Sequence, residues 1–257
     1  MRSRRARASA SLYAAASHFL PLRREPLRSI YNAAYFAYKR FEDPYARLLR
    51  ERPDLLAGGN VVDAGANIGY DTILFASHLA PQFRVHAFEP EPENVKLLQR
   101  NVRRSAVARQ IVVHPIALGS RTGTTNLKIN QRHPGDHQIV AAPSNSSVSV
   151  DMTTIDEAMR GQPVSLIKID VQGYELEVSR GMDETLRANP DVRVAFEFAP
   201  ASLASLGVNP DALLDFYTTR GFRMALVDRS GLLETTAGAL QSSVRGEDYV
   251  DVICWRQ

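Results

Sequence analysis

The sequence predicts an α/β fold: a doubly wound, mostly parallel sheet with helices on both faces and a helical N-terminal extension. Three observations predict it. Apolar runs of strand length alternate with stretches of helical periodicity from residue 60 onward. Val61-Val62-Asp63-Ala64-Gly65-Ala66-Asn67-Ile68-Gly69 reads as a buried strand that runs into a glycine turn and then a helix. Val85-His86-Ala87-Phe88-Glu89-Pro90 reads as a second strand that ends in a carboxylate, about 20 residues past Gly69.

Residues 1–26 read as a basic, disordered tail, 27–58 as the helical extension and 59–257 as the main domain. In the extension, Ile30, Ala34, Tyr38 and Phe41 recur at three- and four-residue spacing, and Asp43-Pro44 breaks the run. The aromatic stripe there is expected to pack on the parent domain rather than on a membrane surface. Asn60–Ala64 is the first strand, Asp71–His78 a helix and Arg84–Phe88 the second strand. Glu91–Arg104 is a helix with an apolar stripe at Val95, Leu98 and Val102, and Ile111–Leu118 is the third strand.

Residues 119–150 depart from the alternation. Thr124–Ile129 reads as a hairpin arm, and a polar loop containing His133, Asp136, His137 and Ser144–Ser147 follows. Long irregular segments in compact domains carry binding loops, so acceptor contacts are expected here. The pattern resumes with Thr153–Met159 as a helix and Val164–Asp170 as a strand ending in a carboxylate. Gly173 turns the chain, Tyr174–Leu186 is helical, and Val192–Phe198 is a strand carrying Glu197. Pro210–Arg220 is helical, and the strands Gly221–Val227 and Tyr249–Trp255 are expected as an antiparallel pair at the sheet edge.

Length and composition fit one large α/β domain with an extension. The net charge of +3 conceals an asymmetry: residues 1–52 hold 12 Lys/Arg against 4 Asp/Glu, so the remainder is acidic. The basic N-terminus leaves peripheral membrane contact open, and no stretch approaches the roughly 20 apolar residues of a spanning helix. The single cysteine, Cys254, lies in an apolar run and reads as a core residue, which excludes internal disulfides and cysteine metal clusters. It agrees with a cytoplasmic setting.

A strand, a glycine turn, a helix and an acidic strand end make half of a site for a nucleoside-bearing cofactor. The dinucleotide version wants G-x-G-x-x-G, but here Asn67 stands where a second close-approach glycine would be. Asp63, two residues before Gly65, would repel a pyrophosphate and suit the positively charged amino end of a methionine moiety. The residues therefore favour S-adenosylmethionine. A lone glycine pair would be an ordinary βα loop; the pair with Asp63 and Glu89 is not.

Asp63–Gly69, Phe88-Glu89-Pro90, Ile116-Ala117-Leu118-Gly119 and Lys168-Ile169-Asp170-Val171-Gln172-Gly173-Tyr174-Glu175 together resemble the FkbM family of S-adenosylmethionine-dependent methyltransferases. The resemblance covers about residues 45–230. Members of that family usually carry Glu where this chain has Gln172. The resemblance implies a seven-stranded methyltransferase (Rossmann-like) sheet with an antiparallel last strand. It also implies methyl transfer, typically to oxygen, on hydroxyls of sugars, glycolipids or polyketide-like metabolites.

In this reading Gly65 and Gly69 shape the turn, and Asp63 and Asn67 face the methionine end. Glu89 binds the ribose, Pro90 fixes the strand exit, and Ile116 and Ala117 flank the adenine. A hydroxyl acceptor must lose its proton, and Asp170, His137 and Glu197 are the candidate bases. Position at the carboxyl ends of strands favours Asp170 and Glu197; the unperturbed pKa favours His137. Asp170 equally suits capping of the turn or orienting the cofactor, and Glu197 suits pairing with an arginine. His133, Asp136 and His137 match no strong metal motif, and no metal is expected. The expected partner is a small-molecule or glycan acceptor with a hydroxyl, with no specific nucleic acid. The rival readings are a dinucleotide-dependent oxidoreductase or epimerase, an RNA methyltransferase using the basic N-terminus, and a catalytically silent fold that binds a partner.

Overall fold

A computed structural model describes residues 34–37, 39, 43–130, 137–140, 142–228, 231–244, 246 and 248–256. The predicted tail, Ile30, Tyr38, Phe41, His133 and Asp136 lie outside them. The strands are β1 (Asn60–Ala64), β2 (Val85–Phe88), β3 (Ile111–His114), β4 (Ala117–Leu118), β5 (Gly123–Lys128) and β6 (Gln138–Val140). They continue with β7 (Ser147–Thr153), β8 (Val164–Ile169), β9 (Arg193–Phe198), β10 (Arg223–Asp228), β11 (Gly231–Thr235) and β12 (Val250–Trp255). The main sheet has the order β11-β10-β12-β9-β8-β1-β2-β3. Its β3-β2-β1-β8-β9 half is parallel, and β12 runs antiparallel to β9 and β10.

The parallel strands are buried on both faces, as their near-continuous Val, Ile and Ala content requires. On one face Val61, Val85, Ala87, Leu166, Ala195 and Ile253 pack under α1 (Tyr45–Glu51), α2 (Tyr70–His78) and α3 (Pro92–Arg104). On the other, Val62, Ala64, Phe88, Ile167, Ile169 and Phe196 pack under α4 (Ile155–Ala158), α5 (Glu175–Arg180), α6 (Asp183–Ala188), α7 (Pro200–Ser205), α8 (Pro210–Thr218) and α9 (Ala237–Ser243). Helix starts follow local chemistry. Glu91 caps α3 by accepting from Asn94 N at 2.6 Å, with Pro92 in the first turn. Thr154 caps α4 through Glu157 N at 3.0 Å.

The structure departs from the sequence expectation in four places. The third strand stops at His114, and Ala117–Leu118 joins a second sheet of order β4-β7-β5-β6. The predicted polar loop therefore contains strands β6 and β7; their polarity reflects a sheet buried mainly at Leu127, Ile129, Ile139 and Met152. The predicted helix at residues 174–186 is two helices. Gly181 separates them, because a Cβ there would lie 2.1 Å from the Gly119 carbonyl oxygen. The predicted strand pair exists, but β12 inserts between β9 and β10, and the added hairpin strand β11 takes the edge. In the extension, Phe36 meets Tyr70 edge-on at 5.5 Å and Tyr45 meets Phe75 at 5.8 Å, so these two rings pack on the domain; the aromatic members of the predicted stripe, Tyr38 and Phe41, lie outside the described residues. No helix among the described residues is long and apolar enough to cross a membrane.

Candidate active site

The glycine turn leaves β1 by a path that only small residues permit. Gly65 and Gly69 have φ of +82° and +90°, and Asn67 joins them in the left-handed region at +50°. A Cβ on Gly65 would sit 1.9 Å from the carbonyl oxygen of Asp170, so the exits of β1 and β8 touch at this point. Gly65 N and Ala66 N both donate to Phe88 O at 3.0 Å, which closes the turn onto β2.

Glu89 sits at the centre of this junction. Its Oε2 accepts from Asn67 N at 2.8 Å and its Oε1 from Glu91 N at 2.8 Å. Burial raises its proton affinity to about 7 against the pull of those two amides. Glu89 N and Ile116 N both donate to His114 O, which brings the segment starting Ile116-Ala117 beside the Glu89 exit. Pro90 links Glu89 to the capping Glu91. A cradle that a Cβ would fill, beside a buried carboxylate at a strand end, fits a nucleoside-bearing cofactor.

Next to the turn lies a buried charged cluster. Asp63 and Lys168 are register partners on β1 and β8. Lys168 Nζ is 3.0 Å from Asp71 Oδ2, 3.3 Å from Asp170 Oδ2 and 3.9 Å from Asp63 Oδ1. Asp63 is fully buried and also accepts from Thr72 Oγ1 at 2.5 Å, so it supports the turn from beneath instead of presenting an open face. Burial raises Asp63 to about 6, with Lys168 opposing. Burial also works on Asp71, but Lys168 and Lys39 overcome it and hold Asp71 well below the usual carboxylate range. Burial disfavours the Lys168 ammonium, yet Asp71, Asp170 and Asp63 raise it above the ordinary lysine value. Lys168 was read from sequence only as part of the segment that carries the family resemblance, not as a site residue; its further signal is a lone cation inside the apolar run Val164–Ile169.

Side-chain exposure separates these groups. Asp63 is 0% exposed, Lys168 6% and Asp71 11%, whereas Asp170 is 27% exposed. Asp170 is thus the member of the cluster with a substantial open face. Its Oδ1 accepts from Gln172 Nε2 at 3.0 Å and its Oδ2 from Lys168. The turn that carries it is fixed by Glu175 Oε1, which accepts from Val171 N at 3.2 Å and Gly173 N at 3.0 Å. Burial raises Glu175 to about 7.

Continuing the β8–β9 register past Ile169–Phe196 sets Asp170 beside Glu197. Glu197 faces Asp251 across β9 and β12. Burial first, then the charges of Asp170, Asp251 and Glu175, raise Glu197 well above the carboxylate range. Burial raises Asp251 to about 6. Asp251 was missed in sequence because a single acid in an apolar strand carries no spacing signal. His137 Nδ1 accepts from Asn130 N at 3.1 Å, and the neighbouring Gln138 donates through Nε2 to Gln172 O at 3.2 Å. The small sheet is thereby tied to the Asp170 turn. No group of three or more His, Cys, Asp or Glu among the described residues has the geometry to hold a metal ion.

Sheet order, glycine turn and acidic strand ends define a methyltransferase-type Rossmann-like domain. The methyltransferase FkbM domain matches residues 63–224, and the chain belongs to that family. It is 29% identical to methyltransferase sdnD of Sordaria araneosa, over 48% of this chain and 60% of that protein. It is 25% identical to the hexuronic acid methyltransferase AglP of Haloferax volcanii, over 49% of this chain and 51% of that protein. The chain thus spans between half and two thirds of the length of these relatives. The crystal structure of the FkbM methyltransferase from Methylobacillus flagellatus superposes with a TM-score of 0.52 at 20% identity, over 86% of this chain and 50% of that one.

Proposed function

We propose that the protein transfers a methyl group from S-adenosylmethionine to a hydroxyl oxygen of a sugar, glycolipid or secondary metabolite. The observation that carries this reading is the placement of Asp170: partly exposed, one residue past β8, with its carbonyl against the Gly65 turn. The name of the relative AglP, a hexuronic acid methyltransferase, supports a sugar-like acceptor.

The cofactor supplies a methyl group already activated on a sulfonium. The chain's task is alignment and removal of the acceptor proton. Glu89 accepts from the ribose hydroxyls while the Asn67 and Glu91 amides keep it oriented. Gly65, Asn67 and Gly69 keep the backbone low, Pro90 directs the strand exit, and Ile116 and Ala117 flank the adenine. Asp63 adds negative charge beneath the methionine end, shared with Lys168. Asp170 takes the proton from the acceptor hydroxyl. Glu197, whose proton affinity is raised by burial and by neighbouring carboxylates, serves the acceptor as a hydrogen-bond partner, and Asp170 is preferred to it as the base. His137 lies on the acceptor side, next to the Gln138 strut.

Calorimetric titration with S-adenosylhomocysteine tests the cofactor half. Micromolar or tighter binding is expected, weakened at least tenfold in Glu89→Ala, about 1.4 kcal/mol. Folded, ligand-free protein that does not bind would remove the reading. A panel of hydroxylated sugars and metabolites with labelled cofactor then tests the acceptor half.

A further inference from the structure

We infer that Lys39, brought in by the N-terminal extension, is a cofactor-binding residue whose ammonium takes the carboxylate at the methionine end of S-adenosylmethionine. The inference rests on the reading of the glycine turn and Glu89 as the cofactor site.

The extension is seated beside that turn. Its backbone is helical at residues 34–37 and 39, and Asp43 N donates to Lys39 O at 2.8 Å. Phe36 packs edge-on against Tyr70, the first residue of α2, directly after Gly69. Residues three apart on a helix share a face, so Lys39 follows Phe36 toward the same helix start. Lys39 Nζ lies 6.0 Å from the centre of the Tyr35 ring, one turn before it. The charges around Lys39 agree with this placement, since Coulomb interactions fall with distance. Tyr35 first, then Asp71 and Asp170, hold Lys39 well above the ordinary lysine value against burial and Lys168. Lys39 is in turn the largest charge opposing the burial that raises Asp251, and with Lys168 it holds Asp71 down. Asp71 opens α2, and the carbonyl of Asp170 touches the Gly65 turn.

The methionine end of the cofactor is a zwitterion. Its ammonium suits an environment rich in carboxylates, and Asp63, Asp71 and Asp170 supply one. Its carboxylate is repelled by the same acids unless it meets a cation. The cluster holds two lysines. Lys168 is 6% exposed and lies within 3.9 Å of all three of those carboxylates. Lys39 is only partly buried, and its element packs onto the turn from outside the sheet. It therefore keeps exposed surface for a further anion. Burial raises the Tyr35 phenol, so its neighbour on the helix stays neutral and adds no competing charge. Were Lys39 only a tie between the extension and Asp71, its loss would affect every ligand of the turn alike.

The test is calorimetric titration of the full chain, free of copurified ligand, with S-adenosylhomocysteine and with decarboxylated S-adenosylhomocysteine, which lacks only the carboxylate. The parent is expected to bind S-adenosylhomocysteine more tightly. In Lys39→Met this affinity is expected to fall by about tenfold or more, the scale of one hydrogen bond to a charged group. The decarboxylated ligand is expected to bind as well as before or more tightly, because a like charge facing its ammonium has gone. Should Lys39→Met fail to fold, Lys39→Gln takes its place, and the preference of the parent needs no variant. A parent that prefers the decarboxylated ligand overturns the inference, as do folded variants in which both affinities fall equally or neither falls. Binding of S-adenosylhomocysteine by the parent would still uphold the cofactor reading in those cases. A parent that binds neither ligand overturns the cofactor reading itself.

Discussion

Lys168 Nζ stands 3.0 Å from Asp71 Oδ2, so an ammonium near the end of β8 is tied to the first turn of α2, the helix that follows the glycine turn. That bond joins two elements far apart in the sequence. It also compensates Asp71 and, at longer range, Asp63. Lys168→Met removes the cation and leaves these carboxylates buried without it, at an expected cost of about 3–5 kcal/mol. Urea unfolding at pH 7.5 measures the loss, and it should shrink at pH 5 as Asp63 takes up a proton. A variant as stable as the parent at pH 7.5 would show that the cluster is already neutralised by shared protons.

The pH dependence of the parent follows from the raised carboxyls. Glu89 and Glu175 move from an ordinary 4.5 to about 7, and Asp63 and Asp251 from 3.8 to about 6. These four carboxyls therefore hold more protons in the folded state than in the unfolded chain between about pH 4 and 7, opposed in part by His86, which burial lowers from 6.5 to about 4, and by His114, also lowered by burial. Stability is fully present below the ordinary values and is lost as pH rises through the raised ones. Asp71 works in the other direction and matters only below its ordinary value of 3.8. Ligand-free protein is expected to unfold at higher urea at pH 5 than at pH 7.5, with Glu175→Gln flattening the slope. One group displaced this far contributes up to about 3 kcal/mol. A flat or rising profile would contradict the burial assigned to these groups.

Gly65→Ala places a Cβ 1.9 Å from the Asp170 carbonyl and forces a left-handed φ on alanine. The backbone strain alone costs on the order of 1–3 kcal/mol, and the collision pushes the exits of β1 and β8 apart. Loss of S-adenosylhomocysteine binding, with the fold retained by circular dichroism, is the expected outcome. Gly58→Ala is the control: it has a similar positive φ, +91°, but nothing within 4 Å of its Cβ.

Asp170→Asn is expected to lower kcat by about 10²–10⁴, the usual range for loss of a general base, with cofactor affinity retained. His137→Ala should act mainly on acceptor KM, because its strand neighbour Gln138 binds the Asp170 turn through a backbone carbonyl. Steady-state kinetics on the first acceptor identified separates the two. Reversal of the two effects would move the base to His137.

Strand and helix alternation was legible wherever burial is two-sided, as in β1 and β8, because such strands read as unbroken apolar runs. It failed in β6 and β7, whose exposed faces are polar enough to pass for loop. The split at Gly181 was also hidden, since the carbonyl that excludes a side chain there belongs to Gly119, more than sixty residues earlier. Gly65, Gly69 and Glu89 were legible because their spacing is local, and Asp170 because it ends the apolar run Val164–Ile169. Lys168, Asp71 and Asp251 were not, because their pairing arises only when β8, α2 and β12 assemble.

The small sheet has its own apolar cluster, Ala117, Leu127, Ile129, Ile139 and Met152, and lies wholly between β3 and α4 in the chain. It is a cassette spliced into the framework that carries the glycine turn and Glu89. Its far hairpin, β5 and β6, stands away from the β1–β2 junction in chain order, whereas its Ala117 end adjoins the Glu89 exit. Among the described residues its ties to the framework include Gly119 against Gly181, Leu118 in the main core, Ser120 Oγ on Glu177, Tyr174 on its apolar cluster, and Gln138 on the Gln172 carbonyl. The residues that would meet an acceptor are thus carried largely by an insertion, and those that shape the cofactor turn by the framework.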